Sequence, residues 1–422
     1  MVVLSEYSPA ELDITRRQAE ALQRTGFVAL SPIAGERWRV TPSSFVGSLV
    51  MEDIELLIRP KINPENLFLL LEPGLPPHAW RRETFDYGSS SDLLPSVISF
   101  FARTVETSLG RGIIRSYESR REELVALRGR VDYSGQFRMG GTLSPVACAF
   151  DEFSQNTVEN RALKSAIRKA LRVPRIAHDV RRLLMHQLAA LEDVDDASIS
   201  AEVIDSISLN RLNRHYEPAL RLSRLILANL TLTDAHGSTE AQSFMVDMND
   251  LFQRFVTERL RRALRGRAVV KGEPTHHLGV GRQIPMQPDL VFSTADGTPR
   301  CVGDVKYKIA TDARARNQDY YQLLAYVTSM GLPEGMLIYC GAEPGGSHRT
   351  ISIRNTDKKL TVHALDLTGS SAEVERQLKV LGDEVAAAMS RTRARPMTST
   401  SNSLSPGKQA APRADGPDRR IM

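Results

Sequence analysis

The chain has 422 residues, 41% of them hydrophobic and 25% charged, with a formal net charge of +5. That profile is globular, with room for two or three domains, and no apolar run approaches the ~18 residues of a membrane span. Seven basic residues against two acidic ones from Arg391 onward account for the whole excess charge, so the rest is formally neutral and the basic pI makes no case for nucleic-acid binding.

The first seventeen residues, MVVLSEYSPAELDITRR, lack a basic segment followed by an apolar core, so no secretory signal is expected. Ser8-Pro9-Ala10-Glu11 has the Ser-x-x-Glu capping pattern with Pro at the first helical position, which predicts a helix running to about Thr25. FVAL (27–30), ERWRV (36–40), GSLVM (47–51) and DIELLIRPKI (53–62) are rich in β-formers and predict a small antiparallel sheet. Asn63-Pro64-Glu65 starts a short helix, residues 74–90 form a Gly/Pro/Ser-rich loop, and Leu93, Leu94, Val97, Ile98, Phe101 and Val105 are spaced for a helix over 91–109. A looser hairpin is expected between residues 128 and 150, its strands at Leu127–Tyr133 and Pro145–Phe150. Helical patterns follow over 156–172, 176–193 and 209–230, and again over 246–265.

The most informative stretch is QPDLVFSTADGTPRCVGDVKYK, Gln287 to Lys308. Asp296-Gly297 between apolar runs is a hairpin signal, and a two-residue loop there sets Asp289 opposite Asp304. Directly paired residues share a face at roughly 4.5–5.5 Å, and Lys306 projects from that face about 6.6 Å further along. Two carboxylates and an ammonium thus converge on one sheet surface, with Val305 facing the core. Beyond the hairpin a helix is expected over 319–329, strands at Glu334–Cys340, Arg349–Arg354 and Leu360–Leu367, and a helix over 371–390. The tail, rich in Arg, Ser, Pro and Thr, reads as disordered. Cys148, Cys301 and Cys340 have neither disulfide nor metal-ligand spacing, which fits a reducing cytoplasm.

Carboxylates are hard ligands suited to Mg²⁺, and the Val305 carbonyl is positioned to complete a coordination sphere. A bound ion of this kind polarises a phosphoryl oxygen and lowers the pKa of its water, with Lys306 orienting or deprotonating that water or stabilising phosphate charge. Asp-x-Lys alone is weak, because a surface ion pair on a strand is commoner. The carboxylate in register and the helix-borne pair Gln322 and Tyr326, which share one face at i and i+4, strengthen it. His276-His277 reads as a solvated loop. Arg259, Arg261, Arg262, Arg265 and Arg267 read equally as phosphate contacts or as a solvated basic face.

These motifs resemble the PD-(D/E)xK nuclease superfamily. LRGRVDY (127–133), AFDEFSQNTVENRALK (149–164), LFQRFVTERLRRAL (251–264), VKYK (305–308) and YQLLAY (321–326) resemble the McrC family, the nuclease subunits of McrBC modified-cytosine restriction systems. The resemblance covers about residues 63–390, and the elements read above make the chain a mixed α/β (α+β) protein. Its parts are an N-terminal helix and sheet region (1–75), a helical finger-like domain carrying the 128–150 hairpin (76–235), a nuclease domain (240–390) and a basic tail (391–422) that matches nothing in the family. The resemblance implies Asp289, Asp304 and Lys306 as the catalytic set, with Mg²⁺ on Asp289, Asp304 and the Val305 carbonyl, and Gln322 and Tyr326 in support. A further acidic ligand is common on the helix before the sheet. Here that helix offers Gln253, which is not anionic, and Glu258, which reads better as an ion pair with Arg254, Arg261 or Arg262. The family's finger docks in the pore of a hexameric AAA+ GTPase, McrB, which implies docking roles for Arg128 and Arg130. The chain has no Gly-x-x-x-x-Gly-Lys-Ser/Thr phosphate loop, so it has no nucleotide site of its own by this reading. The partner reads the modified cytosine in DNA and hydrolyses GTP. The competing readings are a stand-alone nuclease of the same superfamily and a non-catalytic regulatory adaptor.

Overall fold

The computed structural model describes residues 1–51, 54–72, 92–140, 142, 144–174, 176–233, 241–307, 315–341 and 348–391. The expected loop at 74–90, Lys308 and the basic tail beyond 391 lie outside the described residues. The chain begins with β1 (Val2–Ser5) and β2 (Ala10–Asp13), and α1 follows at Arg16–Thr25. The helix start expected at Ser8 is therefore wrong. Residues 10–13 pair antiparallel with a later strand, and Thr15-Arg-Arg-Gln18 forms the actual capping box, with both reciprocal bonds made. A capping pattern in sequence loses to the antiparallel pairing of residues 10–13 and to a reciprocal cap about two turns on.

Strands β3 (Val28–Ala34), β4 (Arg37–Pro42), β5 (Phe45–Met51) and β6 (Ile54–Arg59) follow, as the β-former runs predict. They divide between a three-stranded sheet in the order β2-β4-β3 and a larger one that begins β1-β6-β5. Leu22, Val40, Leu56 and Ile58 form the core between them. Helix α2 (Pro64–Leu71), capped by Asn63 with Pro at its first turn, is buried along its last six residues, and α3 (Leu93–Gly110) packs into the same core.

The middle of the chain projects a ribbon. β7 (Ser116–Leu124), β8 (Arg130–Val131) and β9 (Val146–Ser154) form a sheet in the order β7-β9-β8, with the short α4 (Tyr133–Arg138) between β8 and β9. The expected 128–150 hairpin is thus only partly right. Its first strand is two residues long, and the main partner of β9 is β7, in register from Ser116↔Ser154 to Leu124↔Val146. SYESRREEL has no apolar alternation to betray it, because no residue of β7 is buried.

Helices α5 (Val158–Leu171), α6 (His178–Ala190), α7 (Ala201–Asp205) and α8 (Glu217–Asn229) follow, and their apolar stripes join a single large core with α2 and α3. β10 (Leu230–Thr233) and β11 (Ala241–Asp247) then return to the N-terminal sheet, completing the order β1-β6-β5-β11-β10. From there α9 (Met248–Ala263) leads into the last sheet. A buried ion cluster ties these helices: Arg221 on α8 meets Glu72 after α2 at 2.9 Å and Glu258 on α9 at 3.3 Å.

The last sheet contains β12 (Val269–Gly272), β15 (Leu290–Ser293), β16 (Pro299–Lys306), β17 (Glu334–Cys340), β18 (His348–Ser352) and β19 (Lys359–Leu365). A two-stranded excursion, β13 (His276–His277) with β14 (Pro285–Met286), precedes β15, so the two histidines read as loop lie in a short strand. The strand order is β12-β15-β16-β17-β19-β18; β16, β17 and β19 run parallel, with antiparallel strands on both flanks. Helix α10 (Ala315–Ser329) covers one face through Leu323, Tyr326 and Val327 against Val291, Val302 and Leu337. Helices α9 and α11 (Ser371–Arg391) cover the other, setting Phe252, Phe255, Leu378 and Val385 against Leu290, Phe292, Val305 and Ile338. Each such buried side chain stabilises the packing by roughly 1.5–3 kcal/mol. The architecture is mixed α+β. No helix among the described residues is long and apolar enough to cross a membrane.

Candidate active site

The turn that sets the site is longer than a two-residue loop. Thr294 and Thr298 close it through the Thr294 N–H to Thr298 carbonyl bond (3.0 Å), the Asp296 carboxylate accepts from the Thr298 N–H (3.1 Å), and Gly297 takes the left-handed conformation (φ 86°). A longer loop would shift the pairing by one residue, and at the turn it does: Ser293 faces Pro299. A bulge between Phe292 and Ser293 then restores the register, so Phe292 faces Cys301, Val291 faces Val302 and Leu290 faces Gly303. The next pair along that register is Asp289 with Asp304. The inferred register therefore holds up to Leu290 and Gly303, one residue short of the two carboxylates, although the inferred turn does not.

Alternation along β16 does the rest. Cys301 and Val305 join the core under α9 and α11, and Val302 joins the core under α10, so Asp304 and Lys306 share the α10 face. Lys306 Nζ lies 2.8 Å from Asp304 Oδ2 and 3.6 Å from Asp289 Oδ2. Asp289 Oδ2 also accepts the Val305 N–H at 2.7 Å, which fixes its carboxylate against the edge of β16 just past the end of β15. Asp304 is fully buried, and its Oδ1 has no hydrogen-bond partner. Burial, followed by the neighbouring Asp289 charge, pushes its carboxyl up to about 7 against the pull of Lys306. Burial acts to lower the Lys306 ammonium, but the Asp304 and Asp289 charges outweigh it and hold the group above its ordinary value.

The supporting pair acts one step away from the lysine. Gln322 Nε2 donates to Tyr326 Oη at 2.7 Å, and Tyr326 Oη donates to the Gln287 carbonyl at 3.2 Å. The pair thus pins the backbone two residues before Asp289. Tyr326→Phe removes both part-buried bonds, at about 1 kcal/mol each. The expected result is a fall of roughly 3–10-fold in the cleavage rate with little loss of fold, read from single-turnover nicking and a thermal melt.

Glu258 does not join the site. It pairs with Arg262 (2.8 Å), Arg261 (3.1 Å) and Arg221 (3.3 Å), and those charges hold its carboxyl below the ordinary range despite burial. Arg254, one suggested partner, pairs instead with Asp250 and Asp205. Arg259 and Arg267 meet Glu375 and Asp383 on α11, so this basic run largely serves helix packing. Gln253 donates to Glu273 (2.9 Å), whose N–H donates to the Asp289 carbonyl (3.1 Å) and whose left-handed backbone (φ 50°) turns its side chain toward α9.

One residue near the site escaped sequence reasoning. Asp319 on α10 is buried, accepts from Tyr339 Oη at 2.8 Å, and is among the charges that hold Lys306 protonated. Tyr339 is the register partner of Lys306 on β17. The signal was available: Asp319, Gln322 and Tyr326 fall at i, i+3 and i+7 on one helix face.

Three comparisons bear on this arrangement. No curated protein matches the chain. A chain of the refined half-complex from the tetradecameric assembly of Thermococcus gammatolerans McrB AAA+ hexamers with bound McrC has a similar fold. It shows TM-score 0.52 at 18% identity over 91% of this chain and 99% of that one. A chain of the Thermococcus gammatolerans McrBC complex gives TM-score 0.41 at 20% identity, over 62% of this chain and 88% of that one. The family model described as McrBC 5-methylcytosine restriction system component matches residues 40–340, a span that takes in the ribbon, the helical middle and the Asp289/Asp304/Lys306 site. The chain belongs to the McrBC 5-methylcytosine restriction system component family.

Proposed function

We propose that this chain is the endonuclease subunit of a GTP-driven restriction complex directed at modified cytosine, hydrolysing DNA phosphodiester bonds with Mg²⁺ in the cytoplasm. The observation that carries the reading is Asp304: a fully buried carboxylate with an orphaned oxygen, set beside a second carboxylate and a lysine. A buried charge left so poorly compensated is costly for structure alone, and it suits a site completed by a cation.

The residues fit Mg²⁺. Asp289 and Asp304 would hold it, and the Val305 carbonyl opens to the same side of β16 as the N–H that fixes Asp289, beyond the end of the β15 ladder. When bound, the ion polarises the phosphoryl group and lowers the pKa of a coordinated water. The chain's own groups supply the rest. The Val305 N–H orients Asp289, and the Gln322–Tyr326 pair holds the strand entering it. Lys306, kept protonated by its carboxylate neighbours and Asp319, acts as a fixed cation that orients the attacking water or stabilises charge on the phosphate.

The nuclease is assigned to the sheet of β12 and β15–β19 with α9, α10 and α11. Partner docking is assigned to the β7–β9 ribbon, which exposes Tyr117, Tyr133, Phe137 and Phe153. The partner would be an McrB-like AAA+ GTPase hexamer, which would supply modified-base recognition and translocation. Family membership and the fold shared with a chain of an McrB assembly with bound McrC support this. Within the ribbon the two arginines differ. Arg128 stacks 4.0 Å from the Phe150 ring centroid and pairs with Glu152 at 3.1 Å, so it holds the ribbon together, whereas Arg130 is exposed. Arg130→Ala is expected to lower stimulation of the partner GTPase several-fold without changing the melting temperature. Unchanged stimulation would remove Arg130 from the interface. The whole reading is tested by a nicking assay on modified-cytosine DNA with Mg²⁺ and GTP, with and without the partner. Cleavage by the complex supports it, and a complex that hydrolyses GTP yet never cuts would reduce the chain to an adaptor.

A further inference from the structure

A second cluster of ligand-type side chains lies on the opposite face of the same sheet. His348 on β18 and His363 on β19 are direct antiparallel partners, so their side chains share a face, and Glu384 on α11 closes over them. His363 pairs in register with Ile338, and Ile338 with Val305, all on the face under α9 and α11. The catalytic carboxylates use the other face, and two strand spacings of about 4.8 Å separate β19 from β16. The cluster and the proposed nuclease site are separate.

The donor atoms converge. His348 Nδ1 and His363 Nδ1 are 3.5 Å apart; Glu384 Oε1 is 3.6 Å from the first, and Glu384 Oε2 is 2.7 Å from the second. Glu384 Oε2 sits at hydrogen-bond distance from the ring nitrogen yet makes no aligned hydrogen bond and has no other partner. His363 is 95% buried, and its other nitrogen, Nε2, has no partner, so all polar compensation for burying the ring comes through Nδ1. Three donors converge on one point, and the 3.5 Å contact between the two imidazole nitrogens is one that a cation would replace.

We propose that His348, His363 and Glu384 bind one divalent transition ion of the Zn²⁺ class. Zn²⁺ bonds to imidazole nitrogen at about 2.0–2.1 Å and to carboxylate oxygen at about 2.0–2.2 Å, which sets donor–donor distances of roughly 3.3 Å in a tetrahedron and about 2.9 Å between cis ligands of an octahedron. The observed 2.7, 3.5 and 3.6 Å straddle those values. Mg²⁺ and Ca²⁺ take oxygen ligands, and two imidazoles select against them. His348 Nε2 lies 3.4 Å from Thr350 Oγ1, a partner that would hold the ring in place when Nδ1 binds metal. The fourth position opens to a cavity of about 430 Å³ that Asp366 and Glu373 also line, leaving it to water. The ion would staple β18, the end strand of the sheet, to the last helix.

The test uses the full-length, untagged chain stripped of metal. Zn²⁺ is titrated against a chromophoric chelator, with millimolar Mg²⁺ present throughout. The expected result is one tight equivalent for the native chain and for Asp304→Ala, with a rise in melting temperature on adding Zn²⁺ to the native chain. His348→Ala, at a half-exposed position, should weaken binding roughly 100-fold, and Glu384→Gln about 10-fold or more, each with an unchanged circular dichroism spectrum. Absence of a stoichiometric site, displacement by millimolar Mg²⁺, or native affinity in both His348→Ala and Glu384→Gln would overturn the proposal. Loss of the equivalent in Asp304→Ala would relocate the ion to the nuclease site.

Discussion

Replacing Asp304 by alanine is expected to abolish Mg²⁺-dependent DNA cleavage, by roughly 10³-fold or more, while association with the AAA+ partner and stimulation of its GTPase persist. The split follows from where the residue sits. Asp304 is buried on the α10 face of the last sheet, paired with Lys306, whereas the ribbon is a separate sheet. The substitution removes a carboxylate whose Oδ1 has no partner, so the fold loses little, and Lys306 keeps Asp289 as counter-ion at 3.6 Å. Cleavage of modified-cytosine DNA and GTP turnover, measured on the same complex, separate the outcomes. Joint loss of both activities would mean that the substitution acts through folding and that the ligand role is unsupported.

Asp304→Asn is expected to stabilise the metal-free protein at pH 8. Burial and the Asp289 charge raise the Asp304 carboxyl to about 7, well above the ordinary aspartate value. A carboxyl raised on folding binds its proton more tightly in the native state, so its favourable contribution is full below the unfolded value. That contribution fades as pH rises from about 4 and is gone above about 7. At roughly 1.4 kcal/mol per unit, and with the loss of one Lys306 partner set against the gain, the variant should exceed the native chain by about 1–3 kcal/mol at pH 8. The difference should vanish near pH 4. Thermal melts in a chelator across that range read it directly, and identical melts at pH 8 would mean that the Asp304 carboxylate is well solvated. Millimolar Mg²⁺ should reverse the order at pH 8, because the ion compensates the native carboxylate and has less to bind in the amide. Proton and metal compete for Asp304, so cleavage should fall as pH drops, with a midpoint that moves lower as Mg²⁺ is raised.

How much of this was legible in the chain varies with the length of sequence over which each feature is encoded. Helices with strong apolar stripes, such as Leu93–Gly110 and Met248–Ala263, were placed within a few residues, because their burial pattern repeats every turn. β7 was missed altogether, since a ribbon with no buried residue carries no alternation to read. The N-terminal cap was misplaced by more than a turn, because Ser8 and Thr15 offer similar caps and only pairing with β4 decides between them.

The site divides in the same way. Which residues are proposed to carry the chemistry was legible in the sequence: Asp-x-Lys on a strand with alternating apolar residues, an upstream aspartate in register and a Gln-x-x-x-Tyr helix are local patterns. What those groups do to one another was decided by the tertiary structure. The bulge beside Ser293 that restores the Asp289–Asp304 register lies in backbone pairing. The burial that raises the Asp304 carboxyl comes from α10 packing over the sheet, and the withdrawal of Glu258 into an arginine cluster comes from α8. The His348–His363–Glu384 cluster joins residues from two strands and a helix that no spacing rule connects. Side-chain identity is written in the chain, but desolvation and cross-strand distance exist only once distant segments have packed.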